Sequence, residues 1–168
     1  MMEMRQAYLW FAVPGLIFVD LVSKFWARTT LVPPVLELDL GPFLGLQLAE
    51  NPGATFGLLS FGDGPGRIIP LLVTIGVATG VGAWLVRVKS DWRRLFVGFI
   101  FAGAVGNIVD RLINGSVTDF LAYRWWGEPL FIGNVADIWI TVGAIGAFGG
   151  MLISGPGNRQ TLEVAKEL

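Results

Sequence analysis

Long apolar segments alternate with shorter polar ones along this chain of 168 residues. A helix needs about 20 residues to cross about 30 Å of hydrocarbon, and four segments reach or approach that length. They cover residues of about 7–25, 67–87, 94–112 and 130–153. The pattern therefore predicts an all-α membrane protein with four transmembrane helices, in a single domain that spans residues 1–168.

Two connecting segments lie between these helices, over about 29–66 and 114–129. Residues 35–41, VLELDLG, alternate between apolar and polar side chains, which is typical of a half-buried strand. We expect the first segment to form a small extracytoplasmic β-sheet cradle on the membrane surface. The second contains Tyr123, Trp125 and Trp126, which favour an interfacial anchor; a flap over a site is the alternative.

Glycines recur three or four residues apart in the third and fourth predicted helices, for example at Gly103 and Gly106 and at Gly143 and Gly146. Small residues with this spacing let helix backbones approach closely within a membrane. The spacing therefore predicts that these helices pack closely against their neighbours and are not merely mobile, glycine-rich segments.

Basic residues set the expected orientation. Arg87, Lys89, Arg93 and Arg94 form the densest basic cluster in the chain, in the short connection between the second and third helices. Such clusters remain on the cytoplasmic side. Four crossings then place both termini in the cytoplasm and the two connecting segments outside it.

The amino-acid composition limits both the class of protein and the catalytic groups available for hydrolysis. Hydrophobic residues make up 54% of the chain and charged residues only 15%, against about 25% charged in an average soluble domain. The net charge of −1 gives no reason to expect nucleic-acid binding. The absence of Cys and His excludes thiol nucleophiles, disulfides, Ser-His-Asp triads and histidine-bound zinc. Hydrolysis would have to use carboxylates, hydroxyls, lysine or a metal bound by oxygen.

Polar residues collect at the extracytoplasmic ends of the predicted helices. Asp137 lies about seven residues into the fourth predicted helix, and a charged group within a membrane segment costs at least about 2.5–3.5 kcal/mol and normally marks function. The residues that the topology brings to this mouth are Asp20, Lys24, Asn51, Asn107, Asp110, Arg111, Asp119, Asn134 and Asp137.

Several of these residues have a structural explanation. Asp20 and Lys24 are four residues apart with the acid first, which favours an ion pair within one helix. Asp110 with Arg111 can hold helices and loop together. Asn51 begins the tripeptide NPG and could serve only as a turn residue.

Asp119 and Asp137 are the strongest candidates for chemistry, although ion pairs with Arg111 or Lys24 are an alternative. Two neighbouring carboxyl groups in a medium of low dielectric constant cannot both ionise cheaply, so one holds a proton while the other is charged. Aspartic proteases use this division to activate water against a peptide carbonyl.

Four motif blocks resemble those of the lipoprotein signal peptidase family, signal peptidase II. They are DLVSK at 20–24, NPGATFGLL at 51–59, GNIVDRLINGSVTDF at 106–120 and NVAD at 134–137. The third block is long and specific, and the blocks together span nearly the whole core in the expected order.

The resemblance implies a bacterial inner-membrane or plasma-membrane aspartic endopeptidase of four helices with a small outer sheet. Such an enzyme removes the signal peptide from a prolipoprotein, cutting just before a cysteine that carries diacylglycerol. The expected partners are this precursor and membrane lipid; no metal or cofactor is implied, and a monomer is expected.

The same resemblance assigns roles to individual residues. Asp119 and Asp137 would form the catalytic pair. The residues that would position substrate and pair, or support them from the first helix, are Asn51, Asn107, Asp110, Arg111, Asn134, Asp20 and Lys24. Gly133 and Ile138 depart from the family pattern beside the last block, which bears on pocket shape.

Two other functions are alternatives. A small transporter or channel subunit could use Asp137 as a proton or ion site, but this would favour an internal repeat and polar residues along the whole depth of the helices, and the sequence has neither. A non-catalytic membrane scaffold could bind lipoprotein precursors without cutting them.

Overall fold

The computed structural model describes residues 2–33, 35–53 and 65–153. Within these residues, the chain forms four helices and one sheet of four strands. The helices are α1 (Met2–Thr30), α2 (Pro65–Arg87), α3 (Asp91–Asn114) and α4 (Val135–Ile153). The strands are β1 (Glu37–Asp39), β2 (Leu44–Asn51), β3 (Val117–Trp125) and β4 (Glu128–Gly133).

Helix α3 is the centre of the bundle and packs against each of the other three helices. Its contact with α4 depends on glycine. A Cβ atom on Gly103 would lie 2.5 Å from the Ala136 carbonyl oxygen, and one on Gly143 would lie 2.6 Å from the Phe96 carbonyl oxygen. Backbone therefore meets backbone at this interface, and the close packing predicted from glycine spacing is confirmed.

Two helical stretches of the described residues are long and apolar enough to cross a membrane. They are Ile68–Arg87 and Asp91–Asn114, and Val135–Gly149 is a shorter apolar stretch. Helix α1 carries two charged residues, Asp20 and Lys24, and both are buried.

The sheet is antiparallel throughout, with the strands in chain order from β1 to β4. Only half of it comes from the segment predicted to form a sheet, because β3 and β4 follow α3. In the register of β2 and β3, Asp119 pairs with Ala49 and Val117 pairs with Asn51. The sheet therefore places Asp119 and Asn51 as diagonal neighbours.

The sheet is fixed to the bundle by a small apolar cluster. Ala27 and Leu31 at the end of α1 pack against Phe120 of β3. Leu46 and Leu48 of β2 complete the cluster. Since Phe120 follows Asp119 directly, this contact fixes the height of Asp119 above the helices.

The predicted start of the fourth helix, at about residue 130, is wrong. Residues 128–133 form strand β4, whose Ile132 and Phe131 pair with Ala122 and Tyr123 of β3. Helix α4 begins only at Val135. Asp137 is therefore in the first turn of α4 and not about seven residues into it.

Other boundaries differ as well, and helix α1 begins at Met2, five residues before its predicted start. Helix α1 continues to Thr30, five residues beyond the predicted end, and carries Arg28 toward the sheet. Helix α3 ends at Asn114, where Gly115 adopts a left-handed conformation with φ of 78° and donates its N–H to the Arg111 carbonyl oxygen. Asn114, expected in the outer segment, is thus the last residue of α3.

Candidate active site

Asp119 lies on β3 with only 3% of its surface exposed. Its Oδ2 accepts a hydrogen bond from Asn51 Nδ2 on the neighbouring strand, at 3.0 Å. The other end of this amide is held as well, because the Gly53 backbone N–H donates to Asn51 Oδ1 at 2.9 Å. Asn51 is therefore both the turn residue of NPG and a donor to Asp119.

Asn134 links Asp119 to Asp137. The Asp137 backbone N–H donates to Asn134 Oδ1 at 3.1 Å, and the Asn134 backbone N–H donates to Asp137 Oδ2 at 3.0 Å. This reciprocal arrangement is a capping box at the start of α4. Because its oxygen is thus occupied, Asn134 turns its Nδ2 to Asp119 Oδ1, at 2.6 Å. One side chain thereby brings the two acidic residues together.

A buried polar layer lies beneath this pair. Lys24 Nζ donates to Asp20 Oδ2 at 2.8 Å and to Asn107 Oδ1 at 2.7 Å. Asp20 Oδ1 in turn accepts the Ala136 backbone N–H at 2.8 Å, so α1 caps the first turn of α4. The predicted ion pair of Asp20 and Lys24 is confirmed.

Asp110 fixes the chain just before Asp119. Its Oδ2 accepts the Thr118 backbone N–H at 2.6 Å, and its Oδ1 accepts the Thr118 hydroxyl at 3.2 Å. Lys24 Nζ lies 3.8 Å from the same carboxylate. The predicted role of Asp110 in joining helix to loop is confirmed.

Asn107 and Arg111 approach the pair from α3. Asn107 Nδ2 donates to Asp137 Oδ1 at 3.4 Å, and Arg111 Nη1 donates to Thr74 of α2, also at 3.4 Å. Among the described residues, neither Asp119 nor Asp137 forms an ion pair. The alternative interpretation, in which Arg111 or Lys24 neutralises them directly, is therefore not what the structure has.

The electrostatics of Asp119 reflect its burial. Removal from water raises the pKa of Asp119 above its usual range, hydrogen bonds from Asn134 and Asn51 oppose that rise, and the charge of Asp137 adds to it. Burial also raises the pKa of Tyr123, and the charge of Asp137 contributes again. Asp119 and Tyr123 therefore both lie within the field of Asp137.

In the part of the chain that the structure describes, no group of three or more acidic side chains is arranged to hold a metal ion. The chemistry available at the site is that of carboxyl groups held by amides.

Comparison with known proteins identifies the family. Residues 12–153 match the family model described as signal peptidase (SPase) II. The chain belongs to the signal peptidase II family. It is accordingly a membrane peptidase.

Individual relatives agree with this assignment. A lipoprotein signal peptidase of Pseudomonas syringae pv. tomato is 36% identical over 84% of this chain and 83% of its own length. That of Hydrogenovibrio crunogenus is 34% identical over 77% of this chain and 76% of its own length. That of Pseudomonas aeruginosa is 35% identical over 84% and 85%, respectively.

Two solved structures, each described as a bacterial membrane enzyme structure obtained by the in meso method, share the fold. One superposes with a TM-score of 0.74 at 24% identity, over 90% of this chain and 91% of the other. The second gives a TM-score of 0.73 at 25% identity, over 87% and 93%.

The site residues predicted from the sequence assemble into one connected network, with Arg111 as the exception. Hydrogen bonds connect seven of the other eight directly. Asp110 joins them through its ion pair with Lys24, at 3.8 Å, and through its hydrogen bond from Thr118, the neighbour of Asp119. Arg111 contacts Thr74 instead. The eight are Asp20, Lys24, Asn51, Asn107, Asp110, Asp119, Asn134 and Asp137.

Sequence reasoning missed two supporting residues, Thr118 and Arg28. Thr118 is fully buried and its hydroxyl accepts a hydrogen bond from Arg28 Nε at 2.6 Å. Arg28 Nη1 also pairs with Glu50 of β2 at 3.4 Å. The signal was present, because Arg28 follows Lys24 by four residues on α1 and therefore lies on the same face of the helix.

Gly133, singled out from the sequence beside the last motif block, lies directly beside Asp137. A Cβ atom there would be 3.0 Å from Asp137 Oδ2. The rings of Tyr123 and Phe131, which stack with their centroids 4.5 Å apart, are the next nearest groups. Aromatic surface therefore borders the acidic pair on this side.

Proposed function

We propose that this chain is an aspartic endopeptidase in which Asp119 and Asp137 form the catalytic pair. The observation that carries the proposal is the position of Asn134, which bonds to both carboxyl groups at once. Two carboxyl groups that are bonded to one residue, with the first almost fully buried and within the electric field of the second, share one proton more readily than they lose both.

Hydrogen bonding assigns the two roles. Both carboxyl groups accept N–H donors on both oxygens, but the bonds to Asp119 are shorter, at 2.6 and 3.0 Å, than those to Asp137, at 3.0 and 3.4 Å. The charged form of Asp119 is therefore the better stabilised one. In the proposed mechanism Asp119 takes a proton from water, and the resulting nucleophile attacks the peptide carbonyl carbon. Asp137 donates a proton to the carbonyl oxygen. As the C–N bond of the tetrahedral intermediate breaks, Asp119 passes the proton taken from water to the leaving amine nitrogen, and Asp137 recovers a proton from the hydroxyl group that becomes the carbonyl of the new carboxyl group.

The proposed topology places all four helices across the membrane. Large apolar side chains point outward from α1 and α4 as well, including Phe18 and Phe25 of α1 and Ile145 and Phe148 of α4. The basic connection between α2 and α3 would face the cytoplasm. Asp119 and Asp137 would then act at the extracytoplasmic surface of a bacterial inner or plasma membrane, in a monomer.

The proposed substrate is a prolipoprotein that carries diacylglycerol on a cysteine, cleaved just before that cysteine. The names of the relatives support this choice. The acyl chains would remain in lipid while the scissile peptide enters sideways between the sheet and the helices. A transporter subunit or a non-catalytic scaffold is not favoured, because the chain belongs to a peptidase family.

The test is cleavage of a synthetic precursor by the purified protein in lipid vesicles. We expect the diacylated precursor to be cut before its cysteine and the unmodified precursor to remain intact. Asp119→Asn should abolish cleavage. Asp39→Asn is the matched control, because Asp39 is an acidic residue of the same sheet with 73% of its side chain exposed; it should leave cleavage unchanged. Full activity of Asp119→Asn would contradict the proposal.

A further inference from the structure

Lys24 is buried, with 2% of its surface exposed, and it does not reach the catalytic pair. Its ammonium group donates to Asp20 and Asn107 and lies 3.8 Å from Asp110. An ion pair with Asp20 alone would explain its presence as structural. The bond to Asn107 is different, because Asn107 also contacts Asp137.

The chemistry of an ammonium group fixes the orientation of Asn107. A lysine ammonium has three donors and no acceptor, so the Asn107 atom that faces it must be the amide oxygen. The other end of the amide, which faces Asp137, must therefore be the NH2 group. This conclusion follows from donor chemistry and requires no assignment of the amide atoms by other means.

The hydrogen bonds at the two ends of the Asn107 amide differ in strength. The bond from Lys24 Nζ is 2.7 Å long and the bond from Asn107 Nδ2 to Asp137 Oδ1 is 3.4 Å long. Hydrogen bonds to charged groups are the stronger ones, and long ones weaken. The bond from Lys24 therefore fixes the orientation of the Asn107 amide, and the weaker contact with Asp137 is a consequence of that orientation.

Asn107 differs from the other two asparagines around the pair in the group that holds its amide oxygen. The oxygens of Asn51 and Asn134 are held by backbone N–H groups, from Gly53 and Asp137. Only the oxygen of Asn107 is held by a side chain. A substitution can therefore release Asn107 without altering the backbone.

We propose that Lys24 is a positioning residue for Asp137. It acts through Asn107, because it fixes the orientation of the Asn107 amide that contacts Asp137. The proposal rests on the proposed function of the pair. Without Lys24, the amide is free to turn its oxygen toward Asp137, and two oxygens then face each other in place of a donor and an acceptor. Because Lys24 is buried beneath the pair, its loss should lower kcat and leave KM unchanged.

The test compares Asp20→Asn with the double variant Asp20→Asn/Lys24→Met. The Asp20→Asn background is needed because removal of Lys24 alone leaves the buried carboxylate of Asp20 without its closest partner. Asp110, which lies farther from Lys24 at 3.8 Å, keeps its hydrogen bonds from Thr118 in both variants. We expect kcat of the double variant to be lower by about tenfold or more, as for other misplaced catalytic groups, with KM within about twofold. Equal kcat values for the two variants would overturn the proposal.

A second arm separates positioning from general structural support. The same two substitutions, first Asp20→Asn and then Lys24→Met, are added to an Asn107→Ala protein. In this background the Lys24→Met step should cause no further loss of kcat. A further loss as large as that seen with Asn107 present would mean that Lys24 acts by another route.

If the double variant does not fold, Asn107→Asp provides an independent test. It keeps an oxygen for Lys24 but removes the NH2 group that faces Asp137, so kcat should fall although Lys24 is present. Wild-type kcat in Asn107→Asp would overturn the proposal. A wild-type enzyme that fails to cleave the diacylated precursor would instead contradict the proposed function itself.

Discussion

Gly106 on α3 lets α1 approach the start of α4, and replacing it with alanine should disrupt the polar layer beneath the pair. A Cβ atom on Gly106 would lie 2.4 Å from Asp20 Oδ2 and 3.2 Å from Asp20 Cγ. Ordinary contacts between carbon and other heavy atoms are about 3.5 Å, so the carboxylate must move by about 1 Å. It cannot do so freely, because its two oxygens hold Lys24 and the Ala136 N–H.

The expected cost follows from these contacts. Overpacking a close-packed site costs about 1–3 kcal/mol, and losing one partner of a buried ion pair costs about 3–5 kcal/mol. The side chain of Asp20 can relieve part of the clash by turning, so we expect Gly106→Ala to lower the free energy of unfolding by about 3 kcal/mol.

The assay is reversible unfolding of the purified protein in detergent micelles, followed by tryptophan fluorescence. Gly80→Ala is the matched control, since a Cβ atom on Gly80 of α2 meets nothing within 4 Å. Alanine favours a helix over glycine by up to about 1 kcal/mol, so this variant should be as stable as wild type or slightly more stable. A Gly106→Ala protein at least as stable as Gly80→Ala would refute the reasoning.

Three further outcomes are expected. Gly143→Ala should lower the unfolding midpoint, because its Cβ atom would meet the α3 backbone at 2.6 Å, whereas Gly149→Ala, with nothing within 4 Å, should not. Asn51→Ala should move the acidic limb of the pH profile of kcat/KM to higher pH. It removes a hydrogen bond that lowers the pKa of Asp119, and the ionised form of Asp119 is the proposed base. An unmoved limb would contradict this prediction. Thr118→Val should lower the free energy of unfolding by about 1–3 kcal/mol, because Arg28 Nε and Asp110 Oδ1 both lose the threonine hydroxyl as a hydrogen-bond partner. An unchanged free energy of unfolding would contradict this prediction.

Hydropathy and glycine spacing predicted the helical bundle well, because these signals are local. The start of α4 was missed for a physical reason. Residues 128–133, EPLFIG, are mostly apolar and run directly into the helix, and only pairing with β3, which is not visible in a local pattern, makes them a strand. Asn134 was the available boundary signal, as an N-cap residue three positions before an acidic residue.

The candidate site was predictable as a set of residues but not as a geometry. Motif resemblance indicated Asn51 and Asn134, and the structure adds that each has its oxygen held by a backbone N–H. Thr118 was missed because a threonine in a strand is ordinary, and its role depends on Arg28 arriving from a helix 90 residues away in sequence. Such contacts arise from tertiary packing alone.

The central claim is that the carboxyl groups of Asp119 and Asp137 work as one unit. The most direct measurement is the cleavage rate of the diacylated precursor by Asp119→Asn, Asp137→Asn and the double variant, each verified to be folded. Residues that act as a unit are strongly non-additive, so each single variant should lose nearly all activity and the double variant should be no slower than either. A single variant that retains the wild-type rate, or losses that multiply in the double variant, would contradict the account.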